Sequence, residues 1–104
     1  MTPPVKMLVI LVDETDTWNN ELPLYEAIVR RLVQHEISGA TVAAGIMGFG
    51  SHQRVHRKRL FGVTDDRPIT ITVIDSEQKI REVLPIIRPM IPEGLVFLQD
   101  LEVI

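Results

Sequence analysis

Between Gly45 and Arg59 the chain gathers residue types that could hold an anion. The turn Gly45-Ile46-Met47-Gly48-Phe49-Gly50 is rich in glycine, which lets backbone N–H groups come close to a phosphate. Arg54, Arg57, Lys58 and Arg59 follow it, and no Asp or Glu occurs between Glu36 and Asp65. The whole chain has 14 acidic and 11 basic residues, for a net charge of −3. Against that background the run is a focused positive field. An arginine fork can grip phosphate or carboxylate through two parallel hydrogen bonds. The order of the glycines is G-x-x-G-x-G, with no helical pattern after it, so it is not the dinucleotide fingerprint G-x-G-x-x-G. The competing structural reading is a bulge where a strand leaves a sheet, followed by a solvated loop.

Other groups could carry chemistry. His52 and His56, four apart, could share one face and bind a metal, although no third ligand lies near them in the sequence. The acidic stretch Asp13, Glu14, Asp16 could serve acid–base work or hold a cation; it could equally be a helix-entry loop. Trp18, the one tryptophan, could stack on a ligand or cover the edge of the core. No nucleophile elbow, zinc-protease or phosphate-loop motif is present, and no catalytic constellation stands out. Gly48-Phe49-Gly50 resembles a fragment of an RNA-recognition motif. Such domains stack bases on aromatics of their central strands, and Val5–Val12 and Ile69–Ile74 carry none. Nucleic acid is therefore not expected as a partner.

The elements that must position these groups can be read from hydrophobic period. Val5 to Val12 is a β-branched apolar run, followed by a polar loop, Asp13 to Asn20. Asn20 is placed to cap a helix starting at Glu21, with Leu24, Ile28 and Leu32 on its buried stripe, widened by Tyr25, Val29 and Val33, and Gly39 as its stop. Ala40 to Met47 reads as a second strand. Gly48 to Arg67 is longer than ordinary links, and is functional, mobile or partly an extended ribbon. Ile69, Ile71 and Val73 alternate with Thr70 and Thr72 as a third strand. Asp75 or Ser76 caps a second helix, which buries Ile80, Val83, Leu84 and Ile87 and is kinked by Pro85. Gly94 precedes a last strand, Leu95 to Leu98.

The order is βαββαβ. It predicts an α+β, ferredoxin-like sandwich with two helices on one face of the sheet and a long loop between strands 2 and 3. One domain spans residues 1–104, as expected for a chain of this length that is 45% hydrophobic and 24% charged. There is no cysteine, hence no disulfide framework and no thiolate site. The longest apolar run, Met7 to Val12, is too short to span a bilayer, and no signal-peptide pattern is seen. A cytoplasmic location is expected. Met7 to Val12 and Leu95 to Leu98 offer apolar side chains to both faces of the sheet, so self-association is expected to cover the face without helices.

Taken together, several stretches resemble the PII-like proteins of domain-of-unknown-function family 190 over nearly the whole chain. They are Pro23-Leu24-Tyr25-Glu26-Ala27-Ile28-Val29, Gly39-Ala40-Thr41-Val42, the turn Gly45 to Gly50, Arg54-Val55-His56, and Leu95 to Ile104. Ala44 stands where that pattern often carries an arginine. The resemblance implies a homotrimer and a non-catalytic signalling role. It implies an adenine nucleotide (ATP, ADP, AMP or cyclic AMP) as effector in clefts between subunits, and no required cofactor. Carried over, Gly45, Met47, Gly48, Phe49 and Gly50 would shape the loop base, Arg54, His56 and Arg57 would lie near phosphates, and Arg88 would reach across from a neighbour. A membrane transporter or channel is implied as a docking partner. The alternative is a metal-responsive trimer similar to the divalent-cation tolerance proteins, which His52, His56 and the acidic loop would serve.

Overall fold

The computed structural model describes residues 3–49, 55–56 and 67–104, with the backbone alone at 49, 55 and 56. Strand β1 (Val5–Asp13) leads into a small ribbon of β2 (Thr17–Trp18) and β3 (Leu22–Pro23), then helix α1 (Leu24–Gln34). Next come β4 (Ala40–Ala44), the short strands β5 (Gly48–Phe49) and β6 (Val55–His56), and β7 (Pro68–Ser76). Helix α2 (Glu77–Ile87), a 3-10 turn (Arg88–Met90) and β8 (Leu95–Asp100) complete the chain. The main sheet has four strands in the order β4-β7-β1-β8, and every pairing is antiparallel. This is the expected ferredoxin-like arrangement.

Register assigns the two faces, because residues directly opposite one another share a side. Leu8, Ile10 and Val12 face Val73, Ile71 and Ile69 on one neighbour, and Leu8 and Ile10 face Leu98 and Val96 on the other. This side is sealed by Leu24, Ala27, Ile28 and Leu32 of α1 and by Ile80, Val83 and Ile87 of α2, all buried. The opposite side carries Met7, Val9 and Leu11, flanked by Ile74, Thr72 and Thr70 and by Gln99, Phe97 and Leu95. On that side Ile74, Leu95 and Phe97 are exposed. The second face is thus apolar along β1 and at Ile74, Leu95 and Phe97, with hydroxyls at Thr70 and Thr72 of β7 and an amide at Gln99 of β8.

The start of α1 differs from the expectation. Asn19 and Asn20 both have positive φ and form the tip of the β2–β3 ribbon, where the Glu21 N–H donates to the Trp18 carbonyl at 3.1 Å. Asparagine tolerates that conformation better than most residues. The helix therefore begins at Leu24 with Pro23 as its N-cap, not at Glu21 with Asn20. Its end also differs. Glu36 takes φ 62°, and the N–H groups of Glu36 and Ile37 donate to the carbonyls of Val33 and Leu32 at 3.1 Å, three residues before Gly39. That is a left-handed C-terminal closure. Val33 lies outside the buried stripe at 69% exposure.

Ser76 caps α2, its hydroxyl accepting the Lys79 N–H at 3.2 Å. Asp75 accepts from the backbone N–H groups of Ser38 and Ser76 instead, at 2.9 and 2.7 Å. Burial on its own raises the Asp75 pKa; these bonds outweigh it, and the carboxyl lies below its usual range. Helix α2 runs on through Pro85, whose missing N–H leaves the Arg81 carbonyl without its helical donor. No helix among the described residues is long and apolar enough to cross a membrane.

Candidate functional site

Strand β4 ends at Ala44, three residues before its expected end, and the chain bends just after it at Ile46 and Met47. The Gly45 N–H donates to the Pro68 carbonyl at 2.7 Å. A Cβ built on Gly45 would stand 2.8 Å from Pro68 Cγ, and one on Gly48 would stand 3.1 Å from it. The two glycines therefore clasp the Pro68 ring, a structural task beside any role toward a ligand. Ile46 and Met47 form the exposed tip between them. Gly45→Ala must displace a stiff pyrrolidine ring, so it is expected to destabilise the fold by roughly 1–3 kcal/mol. A thermal melt would check this, and an unchanged midpoint would show that the ring yields.

Beyond the clasp, Gly48 and Phe49 pair with His56 and Val55, so part of the long link is an extended ribbon, one of the forms expected. Phe49 and His56 are thereby placed by backbone only. Gly50, Arg54 and Arg57, together with His52, Lys58 and Arg59, lie outside the described residues.

The chain returns to the sheet at Arg67, where the acidic loop meets it. The Arg67 Nη2 donates to Glu14 Oε2 at 2.6 Å and its Nε to Oε1 at 3.1 Å. The Arg67 N–H also donates to Glu14 Oε1, at 3.2 Å, and the Glu14 N–H donates to the Arg67 carbonyl at 2.9 Å. Arg67's side-chain donation holds the Glu14 carboxyl below its ordinary range, against the opposing effect of burial, and the guanidinium is raised in return. The other two carboxylates of the stretch organise their own turn. Asp13 Oδ1 accepts from Thr15 N–H and hydroxyl, both at 2.9 Å, and Asp16 Oδ2 accepts from Asp13 N–H at 3.0 Å. The stretch is thus a loop-building unit. Trp18 packs against the core edge, in keeping with the structural one of its two readings. Among the described residues no three His, Asp or Glu gather as a metal-binding group.

Arg88 lies just beyond α2, its Nη1 donating to the Ile91 carbonyl at 2.6 Å. With Arg81, Leu84 and Pro85 it lines one wall of an open groove of about 570 Å³, whose other wall is Val96, Phe97 and Leu98 of β8. Arg81 is held by Glu77, Nε to Oε2 at 2.9 Å. Pairing puts the loop base and the start of β8 at the same end of the sheet. Ala44 opposes Ile69, Ile69 opposes Val12, and Leu11 opposes Leu95. However, β4 and β8 are opposite edges. One chain therefore does not bring Gly45, Met47 and Gly48 against Arg88. Sequence reasoning missed Pro68 and the partnership of Glu14 with Arg67. The lone proline opening a threonine-rich strand was the available signal for the first.

This sheet, with its helices on one side and a long link between an edge strand and its inner neighbour, is the fold of PII-like proteins. The structure of CPII, a nitrogen regulatory PII-like protein from Thiomonas intermedia K12 bound to ADP, AMP and bicarbonate, matches with a TM-score of 0.69. It is 24% identical, covering 96% of this chain and 88% of that one. The divalent ion tolerance protein CutA1 from Ehrlichia chaffeensis matches with a TM-score of 0.61 at 12% identity, covering 96% and 83%. Identities this low show the fold alone. The family model DUF190, described as "Uncharacterized ACR", matches residues 5–103. A UPF0166 protein of Aquifex aeolicus (strain VF5) is 31% identical over 99 residues, 95% of this chain and 92% of the relative. The chain belongs to the DUF190 family.

Proposed function

We propose that this protein is a non-catalytic PII-like regulator, a homotrimer that binds an adenine nucleotide in clefts between subunits and signals through the 48–67 loop. One observation carries the reading. The glycine turn and the start of β8, which follows the Arg88 turn in the chain, share one end of the sheet but sit on its opposite edges. Copies packed edge to edge would join the two halves into a cleft, with glycine backbone on one wall and arginine on the other. The fold likeness to CPII, whose structure was solved with ADP and AMP, supports the choice of ligand. The apolar second face supports assembly. A ligand that prefers one state of the loop shifts its population and so changes the surface offered to a partner. A membrane transporter or channel, met from the cytoplasm, is the partner class that goes with this reading.

Calorimetric titration with ATP, ADP, AMP and cyclic AMP, with and without magnesium, tests it. Micromolar binding of at least one nucleotide, lost on Arg54→Ala with Arg57→Ala, is the expected result. No binding by any of the four would overturn the nucleotide reading. Zinc or copper binding in a parallel titration would then favour the metal-responsive alternative.

A further inference from the structure

The Glu14–Arg67 pair is tied by its backbone as well as by its side chains. Glu14 directly follows β1 and Arg67 directly precedes β7. The bond from Glu14 N–H to the Arg67 carbonyl needs neither side chain, so the strands stay joined if the fork lets go. The fork itself is open to solvent, with Arg67 44% and Glu14 30% exposed. Water and dissolved ions therefore reach both partners. Arg67 is also one residue from Pro68, the ring around which the glycine turn closes.

We infer that Arg67 is an anion-binding group of the glycine turn, held in reserve by Glu14 until a phosphate takes its place. This rests on reading that turn as a phosphate site. A guanidinium fork accepts carboxylate and phosphate oxygens in the same two-bond geometry, so the exchange leaves Arg67 paired throughout. Glu14, once released, is exposed enough to be hydrated. The resting ion pair then subtracts from anion affinity by about its own small worth. Glu14 thus acts on affinity through Arg67, as a positioning residue.

The sign of one substitution separates this from a plain buttress. Glu14→Gln keeps the length and the acceptor for the Arg67 N–H but removes the competing charge. It is expected to tighten ATP binding about two- to five-fold, the range an exposed ion pair commands. Arg67→Gln is expected to weaken binding. If Glu14 only braces the loop, Glu14→Gln leaves affinity unchanged or lowers it, and that result overturns the inference. A thermal melt on each variant confirms folding; should Glu14→Gln fail to fold, Glu14→Asp, which pulls the carboxylate back from the fork, carries the same expected sign. If the wild-type protein binds no adenine nucleotide, the nucleotide reading falls by itself. The same comparison is then made with pyrophosphate. Tighter binding by Glu14→Gln supports the reserve role there, and equal or absent binding in both proteins overturns it.

Discussion

Gly94→Ala is expected to lower the melting temperature by roughly 12–24 °C, the shift that about 3 kcal/mol produces in a domain of this size. Two independent costs coincide. Gly94 has φ 142°, a conformation L side chains rarely adopt. A Cβ there would also stand 2.6 Å from the Leu11 carbonyl oxygen, with Ile91 Cγ2 at 3.0 Å on its other side. The first obstacle is backbone of a central strand, which cannot swing aside as a side-chain tip could. Relief would have to come from moving the start of β8, and Leu95 is the residue paired with Leu11. A shift there would loosen Val96 and Leu98 from the core and distort the groove beside Arg88. Differential scanning calorimetry would measure the change. A midpoint within a few degrees of the wild type would mean that the turn into β8 relaxes freely, and that the groove's shape is not set by this glycine.

If the protein is the proposed homotrimer, Phe97→Glu is expected to reduce the mass in solution from three copies of the 11.8 kDa chain to one, with the fold intact. Phe97 stands beside Val9 on the face opposite the two helices, at 39% exposure. In a single chain a glutamate at that position is partly hydrated and costs little. In an assembly that closes this face it would be a carboxylate buried without a partner, and each copy would contribute one. Several kcal/mol per buried charge is the ordinary scale, so a closed trimer should not survive it. Light scattering gives the mass and far-ultraviolet circular dichroism the fold. A trimer that persists would locate the interface elsewhere, and a wild-type protein of single-chain mass would remove the assembly altogether.

The main sheet was legible because its signal is local. Ile69, Ile71 and Val73 alternate with threonines, the β1 run is continuous, and both helices carry apolar residues at helical spacing. Each pattern is contained in one short window. The failures share the opposite property. Asn20 has the right chemistry for a helix cap, but a pair of asparagines suits a tight ribbon equally well, and the pairing of Trp18 with Leu22 decided between them. Gly39 looked like the stop of α1, yet Ile37 found a place in the core and pulled the closure back to Glu36. The candidate site was harder still. Gly45 and Gly48 invite a phosphate reading when seen alone, because their partner Pro68 is distant in sequence. Glu14 and Arg67 are 53 residues apart, and either charge by itself is unremarkable. Arg88 was picked out as a cation, whereas its contact with the Ile91 carbonyl concerns a backbone atom that composition cannot reveal.

The clasp around Pro68 separates two kinds of change open to this chain. Gly45 and Pro68 are joined by a hydrogen bond, so the ends of everything between them are held at a fixed spacing whatever that stretch contains. Doubling the length of a loop whose ends are already fixed costs only about 0.6 kcal/mol in closure entropy. Insertions, deletions or wholesale replacement between residues 49 and 66 should therefore leave the sheet standing. The scaffold and the segment it displays are free to diverge at different rates, and one core could be recruited for new partners by rewriting a single stretch.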